Sequence, residues 1–355
     1  MKIALVAPAR HPISEPYPGG LEAFCGILTQ ALRRRGHQVD LYASAGSTGH
    51  VRDFEFPAAD WSQCPHLEND TTYPPGYPEL ESHFFARLRG HLEHSNYDVV
   101  HNNSLHPALL ESTTLPLVTT LHCPPVAPMS EAATECPGRF VAVSNATARS
   151  WGLESTQVIY NSVDTSVWCP GPGGDHAVFF GRFTPEKAPH VAIDASRRAG
   201  LPIKLIGRPA DPHYVQTQIV PRLGPDVLIE KPLPHRELAR EIGCARVAVI
   251  PPAWDEPFGL VSIEAMATGT PVAAFARGGL HEVLAGSPCP PVAPNDVDAL
   301  AEAICRAGAI EREEVSLFAR QRFGIDRLID QYEQVYRQVA RSAGHDQQMA
   351  GAKLA

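Results

Sequence analysis

The sequence lacks three features that mark common classes of protein. Its 355 residues contain no dense run of lysine and arginine and carry a formal net charge of −9, which disfavours a nucleic-acid binder that neutralises phosphates. The eight cysteines include no C-x-x-C pair, so neither a disulfide framework nor a zinc site is predicted. No apolar run is long enough for a membrane span or a signal peptide. We therefore expect a cytoplasmic protein that binds small molecules, with at most peripheral contact with the inner face of the membrane.

Short apolar strands alternate with amphipathic helices along the whole chain. "KIALVAPA" predicts a buried strand, and "LEAFCGILTQALRRRG" carries apolar residues at helical spacing up to a terminating glycine. "HQVDLYAS", "LPLVTTLH" and "RFVAVSNATARSWG" continue the alternation. This pattern is typical of a parallel sheet covered by helices on both faces.

A proline- and glycine-rich stretch interrupts this pattern near the middle of the chain. "CPGPGGDH", residues 169–176, predicts a flexible linker, and a length of 355 residues favours two domains. We expect a first domain over 1–168, a second over 169–325, a helix over 326–343 that crosses back to the first domain, and a flexible tail over 344–355. The fold class is α/β, with two doubly wound domains facing a central cleft.

Two glutamates eight positions apart stand in "EPFGLVSIEA". Pro257 and Gly259 interrupt regular structure before the helix, so the amides of residues 258–260 offer an anion site at a helix start. Glu256 would lie beside that anion, and Glu264 one turn inside the helix, where a carboxylate can accept hydrogen bonds from a diol. Taken alone, both glutamates could equally be surface residues.

A second stretch, "GRFTPEK", places Arg182 and Lys187 around a turn that follows a predicted strand. Two cations there could neutralise a diphosphate. Gly19 and Gly20 precede the first predicted helix and supply a third element compatible with an anion. Because ligands of open parallel sheets bind beyond the carboxyl ends of the strands, we expect these loops to form one site.

Together these stretches resemble the retaining glycosyltransferases of the GT-B superfamily that carry the E-x7-E motif, the glycosyltransferase family 4, group 1 type. The resemblance rests on "GGLE", "TTLH", "VAVSNA", "VIYNSVD", "FFGRFTPEK", "EPFGLVSIEAMATGTPV" and "ARGGLHE", which cover nearly the whole chain. It implies transfer of a hexose from a nucleotide diphosphate sugar, with UDP as the first choice and GDP or ADP as the others. The acceptor would be a small molecule or a lipid-linked sugar.

The resemblance also implies roles for individual residues. Those at the reacting centre would be His122, Glu256, Arg182 and Lys187. Those binding the donor would be Gly19, Gly20, Ser144, Asn161, Arg182, Lys187, Glu256, Phe258, Gly259, Leu260 and Glu264. With two fixed cations at the diphosphate and no D-x-D carboxylate pair in a loop suited to hold a metal there, we expect no metal and no other cofactor.

Two departures from the family pattern concern the nucleobase and the acceptor. Glu230-Lys231 stand where the family usually has a glycine, beside the expected nucleobase. His122 is followed by cysteine and prolines rather than the aspartate often found there, and a core histidine remains an alternative for it. Residues 64–94 have the composition of an acceptor loop followed by an amphipathic helix.

Other activities remain to be weighed. A nicotinamide-dependent dehydrogenase requires a G-x-G-x-x-G turn, and the first loop lacks that spacing. A non-catalytic sugar-binding protein with two lobes would need export. Another GT-B activity, a nucleotide-sugar epimerase or a phosphorylase, stays open. For transfer itself we expect a front-face mechanism, in which the leaving phosphate accepts the proton of the acceptor.

Overall fold

The chain folds into two compact units. The computed structural model describes residues 1–63 and 72–353, with side chains up to residue 342. The first unit holds the described residues up to Tyr160 together with those from Asp326 onward, and the second is Asn161–Ile325. The sequence places this boundary slightly later, after residue 168. The beginning of the predicted acceptor loop, residues 64–71, lies outside the described residues.

A parallel sheet in the order β2-β1-β3-β4-β5-β6 forms the centre of the first unit. Its strands are β1 (Lys2–Val6), β2 (Gln38–Tyr42), β3 (Val99–Asn102), β4 (Leu117–Leu121), β5 (Arg139–Ala142) and β6 (Gln157–Val158). The helices between them are α1 (Gly20–Arg34), α2 (Tyr77–Glu93), α3 (Ala127–Glu135) and α4 (Asn145–Trp151). β1, β3 and β4 are almost entirely buried, as expected for strands covered on both faces.

Helix α2 packs on this sheet through its apolar face. Phe85, Leu88 and Leu92 are buried in the core of the unit, and Phe84 packs partly against it, which agrees with the predicted amphipathic spacing. No helix in the described ranges combines the length and apolar character that crossing a bilayer requires.

The last helix, α12 (Ile325–Lys353), belongs to the first unit from Asp326 onward. Two buried tyrosines join it to the sheet: the Tyr332 hydroxyl lies 2.9 Å from Thr120 Oγ1, and the Tyr336 hydroxyl lies 2.7 Å from His101 Nδ1. The apolar side chains along one face of this helix are buried: Leu328, Tyr332, Val335, Tyr336 and Val339. The helix continues into the segment 344–355, for which the sequence predicts a flexible tail.

A second parallel sheet, in the order β11-β10-β7-β8-β9, forms the centre of the second unit. Its strands are β7 (Ala177–Phe180), β8 (Ile203–Ile206), β9 (Val227–Glu230), β10 (Val247–Ile250) and β11 (Val272–Ala274). The helices are α5 (Pro189–Arg198), α6 (Pro212–Tyr214), α7 (His235–Gly243), α8 (Leu260–Ala267), α9 (Gly279–Val283), α10 (Val297–Ala307) and α11 (Arg312–Phe323). Two parallel sheets with helical connections confirm the predicted fold class.

The proline- and glycine-rich segment 169–176 is not the free linker that the sequence predicts. Its backbone is fixed to the second unit, since Gly171 N donates to Thr268 O (2.9 Å) and Gly173 N donates to Gly243 O (2.8 Å). The guanidinium of Arg312 also donates to Gly171 O and Gly243 O. The glycines allow close backbone contact, because a Cβ on Gly171 would lie 2.5 Å from Gly243 Cα. Glycine here serves packing rather than flexibility.

Candidate functional site

Two loops of the second unit meet because their strands are neighbours. β7 and β10 pair in parallel, so the loops that follow them leave the same edge of the sheet. Ala253 N donates to Glu186 O (2.9 Å), which fixes the loop after β10 to the loop after β7. The structure thus brings together the two stretches that carry Arg182, Lys187 and Glu256.

Lys187 and Glu256 form a direct ion pair. The Lys187 ammonium lies 2.9 Å from Glu256 Oε1 and 2.7 Å from Glu256 Oε2. Trp254 Nε1 donates to Glu256 Oε2 at 3.0 Å, and the Lys187 ammonium lies over the Trp254 ring, 5.3 Å from its centroid. Glu256 is only 9% exposed, so its charge is held by these two donors rather than by water.

The loop after β7 holds a second cation and a buried hydroxyl. The Arg182 guanidinium lies 3.3 Å from the Glu186 carboxylate. Thr184 stands between Arg182 and Lys187 in the sequence and is only 4% exposed. Its Oγ1 is buried without a hydrogen-bond partner. Buried hydroxyls are normally paired, so this atom is available to a ligand. Sequence reasoning missed it, although the threonine lies between the two predicted cations.

The start of α8 leaves backbone donors unused. Gly259 precedes the helix with φ +94°, a left-handed conformation that suits glycine, and no side chain caps the helix. Within the described residues, the amides of Gly259 and Leu260 donate to no backbone or side-chain acceptor. Phe258, the third predicted residue here, is buried against Phe323. These amides and the helix dipole favour an anion.

Gly278 and Gly279 contact the backbone of the loop that carries Glu256. Gly279 N donates to Glu256 O at 2.6 Å. Gly278 has φ +53°, and a Cβ at this position would lie 2.4 Å from Glu256 O. Gly278 and Gly279 therefore have to lack side chains for the loop to hold its shape.

Glu264 lies inside α8, one turn beyond the amides of Gly259 and Leu260. Its side chain is 8% exposed, and within the described part of the chain no hydrogen bond or ion pair reaches its carboxyl group. Burial raises the pKa of Glu264 to about 8, because desolvation disfavours the charged form. A buried carboxyl without a partner costs stability, which marks a position kept for a ligand rather than for folding.

His122 follows β4 in the first unit. Its Nε2 lies 2.9 Å from Asn103 Oδ1, so Nε2 carries the hydrogen and Nδ1 accepts. The ring packs edge-on against Phe24, with centroids 4.7 Å apart. His122 remains partly accessible, while the low-dielectric surroundings of its imidazole lower its pKa to about 3. The ring is therefore neutral and can bind a hydroxyl at Nδ1.

The other predicted site residues of the first unit differ in whether their hydrogen-bonding groups already have protein partners. Gly19 is the N-cap of α1 and Gly20 its exposed first residue, and no side chain caps this helix. Ser144 is fully buried, and its hydroxyl accepts from Thr147 N at 2.9 Å. The structure thus gives Ser144 a capping role at the start of α4.

Asn161 opens the second unit and is 5% exposed, with an Oδ1 that has no hydrogen-bond partner. This orphaned acceptor resembles Thr184 Oγ1 and Glu264 in being buried without a protein partner. All three atoms are therefore available to a polar ligand.

The departure at Glu230-Lys231 lies at the end of β9, of which Glu230 is the last residue. Glu230 Oε1 lies 3.5 Å from the Lys204 ammonium, which also contacts Glu241 Oε2 at 2.6 Å. Lys231 is exposed. Glu230 is thus part of an ion-pair group on the sheet, which explains how a charge is accommodated at the end of β9.

Two family models match separate parts of the chain. Residues 18–167 match the model described as Glycosyltransferase Family 4, and residues 174–308 match the model described as Glycosyl transferases group 1. The two matches fall on the first and the second sheet, respectively.

Curated relatives carry the description D-inositol 3-phosphate glycosyltransferase. The Frankia alni protein is 36% identical over 127 residues, which is 32% of this chain and 31% of that protein. The Nocardioides sp. protein is 26% identical over 353 residues, which is 80% of this chain and 76% of that protein. The region of higher identity thus spans about a third of the relative.

Solved structures show the same architecture over the whole chain. A sucrose-phosphate synthase from Thermosynechococcus elongatus is 21% identical, with a TM-score of 0.74 over 96% of this chain and 99% of that one. The Anabaena protein HepE, in complex with UDP-glucose, is 20% identical, with a TM-score of 0.69 over 97% of this chain and 100% of that one. With family models matching both halves and GT-B enzymes sharing its fold, the chain belongs to glycosyltransferase family 4.

Proposed function

We propose that this protein transfers a hexose from a nucleotide diphosphate sugar to an acceptor hydroxyl, with retention of configuration at the anomeric carbon. The observation that carries the proposal is the buried, unpartnered carboxyl of Glu264, one turn from the unused amides of Gly259 and Leu260. A carboxyl and a helix start at this spacing match the diol and the phosphate of one nucleotide.

The diphosphate would be bound by backbone donors and by two cations. The amides at the start of α8 would bind one phosphate, and Arg182 and Lys187 would supply positive charge from the loop after β7. Thr184 Oγ1 adds a hydroxyl donor between them. Negative charge grows on the leaving diphosphate in the transition state, so fixed donors there lower the barrier.

Glu256 would bind hydroxyls of the donor sugar. Because Lys187 and Trp254 already fix its carboxylate, it is preorganised to accept further hydrogen bonds. Its bidentate pairing with Lys187 makes it a poor nucleophile, since attack would strip a buried charge of its partner. This supports a front-face mechanism, in which the leaving phosphate takes the acceptor proton, over a double displacement through Glu256.

His122 would contact the sugar as a neutral hydrogen-bonding group. Burial lowers the pKa of His122 to about 3, which leaves the ring uncharged at neutral pH. A neutral acceptor nitrogen can orient a sugar hydroxyl without adding positive charge beside an oxocarbenium-like transition state.

The donor base is proposed to be uracil. The Anabaena protein with this fold binds UDP-glucose, which makes UDP the first choice, with GDP and ADP as the alternatives. A screen that measures nucleotide release from UDP-, GDP- and ADP-hexoses tests the assignment. Release from the UDP-sugar and an NMR spectrum showing the donor's anomeric configuration in the product would support it. Inversion at the anomeric carbon, or an epimerised free nucleotide sugar, would contradict it.

A further inference from the structure

The edge of the first sheet at which His122 lies has both acidic and apolar side chains near it. Residues that follow β1, β3 and β4 leave one edge of the sheet, and His122 lies among them. If the proposed transfer is correct, the acceptor hydroxyl approaches this edge. The charges and apolar side chains there therefore bear on the class of acceptor.

An acidic segment borders this edge. Its described residues between Arg52 and Arg87 include no lysine or arginine and five carboxylates: Asp53, Glu55, Asp60, Glu79 and Glu81. Described parts of the segment contact the edge directly. Tyr77 OH donates to Ala9 O, after β1, at 3.4 Å, and Ser82 Oγ lies 3.1 Å from His106 Nε2, after β3. An anionic ligand would meet negative charge there.

Arg10, the cation that follows β1, already contacts a side chain of the segment before α2. The Arg10 guanidinium lies over the Tyr73 ring, 4.6 Å from its centroid, and Tyr73 stacks on Tyr77 with centroids 5.3 Å apart. Burial raises the pKa of Glu81, and the charge of nearby Arg10 offsets part of that effect. Arg10 thus holds the β1 loop to the segment before α2, with Glu81 near enough to interact with its charge.

The loops on either side of His122 present apolar surface. Leu105, after β3, is 42% exposed, and Val126, after β4, is 37% exposed. Pro124 and Pro125 between His122 and Val126 are also exposed. The loops 103–107 and 122–127 contain no charged side chain. Since β3 and β4 are neighbours, these side chains lie on adjacent loops.

We propose that the acceptor is an uncharged alcohol with an apolar face, such as a glycoside with a hydrophobic aglycone, and not a sugar phosphate or polyol phosphate. The acidic segment contacts the edge, the edge's arginine is engaged with Tyr73, and Leu105 and Val126 offer apolar contact. The proposal rests on the proposed transferase activity. It separates this chain from curated relatives whose description names inositol 3-phosphate.

The first experiment compares matched acceptors with wild-type protein and UDP-glucose. Octyl glucoside is set against methyl glucoside to test the apolar face, and against glucose 6-phosphate and inositol phosphate to test charge. We expect kcat/KM to be highest for octyl glucoside and insensitive to salt, because no ion pair forms with the acceptor. A phosphorylated acceptor used as well as octyl glucoside would overturn the proposal, as would equal use of methyl and octyl glucoside.

If none of these compounds is glycosylated, binding measurements still test which class of acceptor the protein prefers. The same compounds are then compared as ligands of the UDP-saturated protein by calorimetry. Tighter binding of octyl glucoside supports the proposal, whereas tighter binding of a phosphorylated compound, or binding of neither, overturns it. UDP binding measured separately shows whether the proposed donor site itself has failed.

The second experiment adds a charge at the edge. Leu105 is 42% exposed, so Leu105→Lys and its neutral control Leu105→Gln should both fold. We expect Leu105→Lys to improve the use of phosphorylated acceptors over Leu105→Gln by about fivefold, the size of an exposed ion pair. Both variants should use octyl glucoside less well than wild type does. Unchanged use of octyl glucoside in both variants would show that Leu105 does not contact the acceptor.

Discussion

Lys187 donates to both carboxylate oxygens of Glu256, at 2.9 and 2.7 Å, so the cation proposed for the diphosphate and the carboxylate proposed for the sugar form one unit. Separate roles for the two would give additive effects on substitution, whereas a buried pair should not. Removing one partner leaves the other charge buried and unpaired.

We therefore expect Lys187→Ala to lower kcat by about 10² to 10³, comparable with the loss of one preorganised oxyanion donor. Glu256→Gln should also be impaired. The double variant should lose much less than the product of the two single effects, because each single change already breaks the pair. Steady-state kinetics of all three variants measure this coupling, and a multiplicative double effect would mean that the two side chains act independently.

Metal independence follows as a prediction from the fixed cations. Since Arg182 and Lys187 provide two positive charges in the loop after β7, transfer should proceed in excess EDTA. Arg182→Lys should reduce activity, because an ammonium cannot reproduce the planar fork of the guanidinium. The assay compares wild type and Arg182→Lys with EDTA, Mg²⁺ or Mn²⁺. Loss of wild-type activity in EDTA and its recovery with Mn²⁺ would refute the proposed role of these cations.

Glu264 should make the stability of the protein depend on pH. Burial raises its pKa to about 8 in the folded state, against a value near 4.5 when exposed. Between these two values the folded state keeps a proton that the unfolded state has lost, so the free energy of unfolding should fall as pH rises from about 4.5 to about 8. Glu264→Gln should remove this slope and be more stable than wild type at pH above 8. Urea unfolding at several pH values tests this, and parallel slopes for both proteins would contradict it.

Removing the carboxyl group of Glu264 should weaken nucleotide binding. If the ionised carboxylate accepts hydrogen bonds from the ribose diol, Glu264→Ala should cost about 1.5 to 3 kcal/mol of binding free energy above pH 8, where Glu264 is charged, the range for hydrogen bonds to a charged group. Calorimetry with UDP measures it, with Glu256→Gln as a control that should retain most of its affinity for the free nucleotide. Equal losses in both variants would remove the distinction between a ribose ligand and a sugar ligand.

Gly278, which precedes α9, and Gly286, which follows it, provide a test of loop support. Gly278 and Gly286 both have positive φ, at +53° and +75°, but a Cβ on Gly278 would lie 2.4 Å from Glu256 O, while one on Gly286 would meet no atom within 4 Å. Both alanine variants incur a conformational cost, which is larger at Gly278 because its ψ of −128° lies outside the left-handed helical region, and Gly278→Ala alone should also displace the Glu256 loop. We expect a large loss of kcat in Gly278→Ala and near-normal activity in Gly286→Ala. Similar kinetics in both would show that the loop is not supported in this way.

Local sequence patterns were sufficient to predict much of the fold. Short apolar strands alternating with amphipathic helices predict two parallel sheets, because each pattern reports which faces of an element are buried. The grouping of Arg182, Lys187 and Glu256 was also predictable, since loops that follow neighbouring parallel strands meet at one edge. The Gly259 turn before α8 follows from "PFG" in the same way.

Pairing and solvation were decided only by the tertiary structure. The sequence shows neither that Lys187 contacts Glu256 nor that Glu264 is buried without a partner, because both depend on residues distant in the chain. The segment 169–176 illustrates the same limit: its composition predicts flexibility, yet Arg312 and the backbone of α7 fix it in place. The lack of a Cβ determines which backbone conformations a glycine can adopt. The contacts available in the folded protein determine whether that glycine is mobile or packed.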